Sequence, residues 1–167
     1  INLERLSLFS PKLFHDKLAK CGLTFFTGVP DSTFRHFISY GLSKKKIIIS
    51  TREDEAIGIA VGMALSDSGS LVFMQNAGFA NSLSTITSLV QLYKIPIIFL
   101  IGWRGFLKHD APEHYKIGKI QPDLIKALQL PTKIISDENW EKNCSWAIKK
   151  IKNNQPCALV IKRDFYD

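Results

Sequence analysis

Ile97-Ile98-Phe99-Leu100-Ile101-Gly102-Trp103-Arg104-Gly105, residues 97–105, opens with five apolar residues in a row and closes on glycine, an indole and a guanidinium. A run this short and this apolar has no polar face to give to water, so it reads as a strand covered on both sides. Similar runs occur at residues 23–27, 47–49, 71–75, 134–135 and 158–161. Helical patterns separate them. Ser10-Pro11 supplies a capping hydroxyl and a proline for a first helical turn, Leu13, Phe14, Leu18 and Cys21 form its stripe, and Gly22 suits its end. Phe34, Phe37 and Ile38 mark a second helix. Ile57, Ala60, Val61, Ala64 and Leu65 recur at the helical period and predict a third, amphipathic one. Residues 81–93 predict a mostly buried helix. Trp140, Cys144, Ala147, Ile148 and Ile151 give the last. Buried strands alternating with helices predict one α/β domain over residues 1–167, with a parallel sheet of about six strands and helices on both faces.

Composition narrows the function. The chain has 167 residues, a formal charge of +7 and 46% hydrophobic residues. The lysines are dispersed apart from Lys44-Lys45-Lys46 and Lys149-Lys150, and no basic stripe is interleaved with aromatics. Nucleic acid is therefore not the expected partner. No apolar run approaches the ~18 residues of a membrane span, and residues 1–8 do not resemble a secretory leader. Three cysteines without C-x-x-C spacing predict neither zinc nor disulfides and fit a cytoplasmic setting. No metal ligand set is expected.

Ligands of a parallel sheet gather at the loops leaving the strand C-termini. Four such loops here are unusually polar. The first is Gly28-Val29-Pro30-Asp31-Ser32. The second, Thr51-Arg52-Glu53-Asp54-Glu55, sets acids in the first turn of a helix, which a helix dipole favours with or without a ligand. The third is Gln75-Asn76-Ala77-Gly78-Phe79-Ala80-Asn81, where amides could cap a helix or meet a ligand. The fourth runs from Gly102 through Arg104 and Lys108-His109-Asp110 to His114. No Gly-rich phosphate loop and no nucleophile elbow is present. Residue by residue, the reading ends at a polar site on the strand C-termini.

Taken together, Gly28-Val29-Pro30-Asp31-Ser32, Glu53 with Ala56-Ile57-Gly58, Met74-Gln75-Asn76-Ala77-Gly78, Gly102-Trp103-Arg104-Gly105, and Asp110 with Pro112 and His114 resemble the phosphonopyruvate and sulfopyruvate decarboxylases. Order and spacing agree over nearly the whole chain. The resemblance implies the pyrimidine-binding domain of a thiamine-diphosphate enzyme. It implies that Glu53 hydrogen-bonds the cofactor's aminopyrimidine and drives its acid–base chemistry, with Glu55 as the rival carboxylate. It implies cofactor contacts from Pro30, Asn76, Gly78 and Asn81. A small anionic 2-oxo acid bearing a phosphonate or sulfonate would meet Asp31, Ser32, Arg104 and His114. The family's Gly-Asp-Gly motif with its following Asn, which holds Mg²⁺ and the diphosphate, does not occur in this sequence. That half of the site is expected on a separate chain or segment, in a homodimer or hetero-oligomer. Two other readings stand beside the enzyme: a non-catalytic pyrimidine-domain module that binds a partner or anion, and an unrelated flavodoxin-like binding protein.

Overall fold

Along β3 (Ser70–Gln75), Leu71 and Phe73 face one side of the sheet while Val72 and Met74 face the other, and all four are fully buried. β4 (Ile97–Trp103) repeats the pattern, with Ile98 and Leu100 on the first side and Ile97, Phe99 and Ile101 on the second. A side-chain period of two can bury both sets only when helices cover both faces. The computed structural model, which describes residues 9–107 and 109–162, has that arrangement. The remarks above on residues 1–8 and Lys108 lie outside the described residues.

Among the described residues the sheet has six strands in the order β2-β1-β3-β4-β6-β5, every neighbouring pair parallel. The others are β1 (Phe25–Gly28), β2 (Ile47–Ile49), β5 (Thr132–Ile135) and β6 (Cys157–Lys162). One face carries α1 (Pro11–Lys20), α2 (Arg35–Ser43) and α7 (Trp140–Lys152), whose Phe14, Phe37 and Trp140 join the first core. The other carries α3 (Glu53–Leu65) and α4 (Asn76–Asn81), with α6 (Pro112–Ala127) packed on through Leu124 and Ile125. Each fully buried Leu, Ile or Phe stabilises the fold by roughly 1.5–3 kcal/mol relative to exposure. From β1 the chain steps outward to β2, then returns to β3 on the other side of β1. Such a reversal opens a crevice at the strand C-termini, and here it falls between β1 and β3.

Two helices differ from their sequence readings. The helix expected over residues 81–93 starts at Asn76, directly after β3, and α4 ends at Asn81. A short α5 (Leu83–Thr85) then runs into a π-helical stretch, Ile86–Gln91. Ile86 and Val90 are buried there, but Leu92 and Tyr93 are 65% and 66% exposed. Hydroxyls explain the irregularity. Ser82, Thr87 and Ser88 each donate back to a main-chain carbonyl one turn earlier, which competes with the regular helical bonds. The second difference is α3. It buries Ala56, Ile57, Ala60 and Val61, but its opposite side carries Gly58, Ile59, Gly62, Met63 and Leu65 rather than a polar set. Apart from the helix's own nearby backbone, no atom of the described residues lies within 4 Å of where a Cβ would stand on Gly58 or Gly62. The helix is apolar all round, as buried helices are, yet one side is uncovered within the chain.

Candidate active site

α3 begins at Glu53, after Arg52 in extended conformation. Its three acids are sorted by their hydrogen bonds. Glu55 reaches back to accept from the Thr51 main-chain N–H and hydroxyl, both at 2.9 Å. These bonds, the main-chain one first, lower the Glu55 pKa. Asp54 accepts from Arg52 at 3.0 Å, and that bond leads the lowering of its pKa. Among the described residues no hydrogen bond reaches the carboxyl of Glu53. Its carboxyl lies against Gly78 in α4, and a Cβ at position 78 would collide with it. Glycine at 78 therefore lets the carboxyl lie directly over the helix backbone. Beside it is a cleft of about 280 Å³ lined by Arg52, Glu53, Asp54, Asn81 and Ser82. The tertiary fold thus brings Glu53, Gly78 and Asn81 together and turns Glu55 aside.

A second cluster lies at the ends of β1, β3 and β4. Asp31 caps a 3-10 turn (Ser32–Phe34) by accepting from the Thr33 main-chain N–H. Its carboxylate also accepts from Gln75 Nε2 at 3.1 Å and from Arg104 Nη1 at 3.0 Å. The same Nη1 donates to Ser32 Oγ at 3.2 Å. On its other edge, Arg104 donates from Nε and Nη2 to the two oxygens of Asp110, at 3.2 and 2.9 Å. Gly105 N–H and Ala111 N–H also donate to Asp110, at 2.7 and 2.9 Å. Burial opposes ionisation of Asp110, but its bonds from Arg104, Gly105 and Ala111 outweigh that and hold the carboxyl well below the usual range. Asp110, followed by Asp31, pushes the Arg104 pKa up. The Arg104 side chain is 10% exposed and that of Asp110 is fully buried.

Two residues read from the sequence as ligand contacts are engaged within the protein. Asn76 is fully buried. Its side chain donates to the Arg104 carbonyl at 2.9 Å and accepts from the Arg104 N–H at 3.2 Å. It clamps the end of β4 to that of β3, with both ends of the amide occupied. Arg104, read as an open anion-binding cation, faces two carboxylates. Pro30 and Ser32 are exposed on the loop after β1. His114 is half-buried in the first turn of α6, where its carbonyl packs on Gly105, a residue at φ +73° whose backbone favours glycine. No hydrogen bond joins the His114 ring to the Arg104 cluster among the described residues.

No protein-family model matches the chain. Similar sequences do. It is 36% identical over 112 residues to the sulfopyruvate decarboxylase alpha subunit of Methanococcus maripaludis, covering 66% of this chain and 67% of that one. The chain belongs to the sulfopyruvate decarboxylase alpha-subunit family. Another alpha subunit, from Methanocaldococcus jannaschii, is 31% identical over 120 residues, 71% of each chain. The phosphonopyruvate decarboxylase of Streptomyces viridochromogenes is 29% identical over 133 residues, 78% of this chain and 34% of that longer one. A thiamine-diphosphate-dependent 4-hydroxybenzoylformate decarboxylase from Rhodococcus jostii has the same fold, with a TM-score of 0.74 at 17% identity. The match covers 93% of this chain and 30% of that one.

Within this family frame, Asp110 and Gln75 were legible in the sequence as motif residues but without a role, and Ser82, which lines the cleft beside Glu53, was passed over because it looks like an ordinary helix residue. Among the described residues no group of three or more His, Cys, Asp or Glu side chains could hold a metal. No helix among them is long and apolar enough to cross a membrane.

Proposed function

We propose that this chain forms the pyrimidine-binding side of a thiamine-diphosphate-dependent decarboxylase acting on a 2-oxo acid with a sulfonate or phosphonate head. The observation that carries the reading is Glu53. Its carboxyl lies over Gly78 beside a polar cleft, at the strand C-termini of a chain in this family. The residues present fit an aminopyrimidine edge: a half-buried carboxyl without a hydrogen bond from the described residues, a glycine leaving room above the backbone, and Asn81 across the cleft. When bound, thiamine diphosphate would supply a nucleophilic carbon and a sink for the electrons released with CO₂. Glu53 would hold a proton at the ring's N1′ and shift its acid–base balance. Asn81, Pro30 and the Gly78 backbone would orient the ring. Asp31 would stand near the reacting carbons. His114 is the polar group left to meet the anionic head, since the Arg104 guanidinium is held between carboxylates and itself bonds the Ser32 hydroxyl.

The diphosphate and Mg²⁺ would be held by a second domain, on a partner chain or another segment. The uncovered side of α3, with Gly58, Gly62, Met63 and Leu65, and the exposed Leu92 and Tyr93 are the surface proposed to receive it. The test mixes this chain with one carrying a Gly-Asp-Gly…Asn motif, adds thiamine diphosphate and Mg²⁺, and follows CO₂ release from sulfopyruvate and phosphonopyruvate. Turnover that needs both chains and is lost in Glu53→Gln supports the proposal. Binding of the two chains with no turnover on either acid would favour the non-catalytic reading.

A further inference from the structure

The Arg104 cluster is unequal about its centre. Asp110 accepts two hydrogen bonds from the Arg104 fork and two from the main chain of its own loop, and its side chain is fully buried. Fork-to-carboxylate pairing fixes both the distance and the plane of a guanidinium. Asp31 receives a single Arg104 nitrogen, end-on, with Gln75 and Thr33 supplying its remaining bonds. An end-on contact sets no orientation of its own. It holds only while the far edge of the guanidinium is held. Arg104 Nη1 meets Ser32 as well, so the same nitrogen ties down two consecutive residues of the loop after β1.

We infer that Asp110 and Arg104 are positioning residues: Asp110 fixes the Arg104 guanidinium, and Arg104 in turn fixes Asp31 and Ser32 at the end of β1. The chain of dependence runs one way, from the loop after β4 to the loop after β1. The inference deepens the functional reading above and rests on it for its catalytic consequence. The geometry itself is open to test without any turnover.

The first measurement is amide hydrogen exchange on the full chain. In Asp110→Asn, exchange at Gly105 and Ala111 should quicken by about tenfold or more, the loss expected for a hydrogen bond to a charged group. Amides of Val72 and Leu100 should stay protected. Asp31→Asn should leave Gly105 and Ala111 protected, because the fork to Asp110 does not depend on Asp31. Equal loosening in both variants, or none in Asp110→Asn, would overturn the hierarchy. The second measurement uses the reconstituted enzyme. Asp110→Asn and Arg104→Lys should each lower kcat by about tenfold or more, leave KM within about twofold, and act equally on head-group-bearing and plain 2-oxo acids. A rise in KM confined to the sulfonate or phosphonate acids would make Arg104 a head-group ligand and refute the inference. If Asp110→Asn does not fold, Arg104→Lys should quicken exchange at Thr33, whose amide bonds Asp31, while Gly105 and Ala111 stay protected, and it carries the same kinetic comparison. A wild-type mixture without turnover would count against the proposed function alone, and the exchange result would still decide the positioning claim.

Discussion

Replacing Gly78 by Ala should separate stability from function. The added methyl would collide with the Glu53 carboxyl, and the nearest atoms it meets belong to that side chain rather than to backbone. Among the described residues no hydrogen bond holds Glu53, so it can rotate away at a cost of about 0.5–1.5 kcal/mol for a poorer rotamer. Against this, alanine in place of glycine within α4 stabilises a helix by about 0.8–1.0 kcal/mol. The two nearly cancel. The variant should remain within about 1 kcal/mol of wild type, a Tm change of no more than about 2–4 °C for a domain of this size. The displaced carboxyl, however, would no longer face the cleft. A misplacement on the order of 1 Å at a reacting group can cost about 100-fold in rate. Circular dichroism melts give the first number, and thiamine-dependent turnover with the partner chain gives the second. A Tm drop of more than about 8 °C would mean that the methyl meets something less yielding than Glu53. Wild-type turnover would show that the seat of Glu53 over Gly78 has no functional meaning.

Glu55→Gln should remove the charge that accepts from Thr51 and soften the start of α3, yet keep most activity. Glu53→Gln should retain the fold and lose turnover by orders of magnitude, and a reversed result would move the acid–base role to Glu55. His15 is buried against Phe26 and Tyr40, with no hydrogen-bond partner on either ring nitrogen. Burial is the main cause of its lowered pKa; Asp16 pulls it back up and Lys46 adds to the lowering. Below about pH 6.5 the unfolded chain therefore binds the proton first, and stability should fall as pH drops through that range and hold steady above it. Urea melts at several pH values should show this slope, and His15→Phe should remove it. Burial raises the thiols of Cys144 and Cys157 to about 12, so iodoacetamide at pH 8 should label the exposed Cys21 and spare the other two until the chain is unfolded. Labelling of Cys144 or Cys157 in the native chain at the rate of Cys21 would contradict their packing.

The sequence alone determined the architecture, because the signals for it are local. The run at residues 97–101 is too short and too apolar for anything but a strand covered on both sides, and the five other runs agree. Their polar ends pointed to a candidate site on one edge of the sheet, and the order of the motifs pointed to the family. What the sequence did not contain was how the polar groups pair. Arg104 and Asp31 are 73 residues apart and Asn76 and Arg104 are 28 apart, so no periodicity connects them. Each looked available for a ligand when read alone. The sheet order brings β1, β3 and β4 side by side, and only then do their end loops come within hydrogen-bond reach. Buried ionic and amide groups must be paired to be stable, so proximity turned Arg104 and Asn76 toward the protein itself. The same packing put Gly78 beneath Glu53 and left Glu55 to cap Thr51, different surroundings for two carboxylates that spacing in the chain could not tell apart.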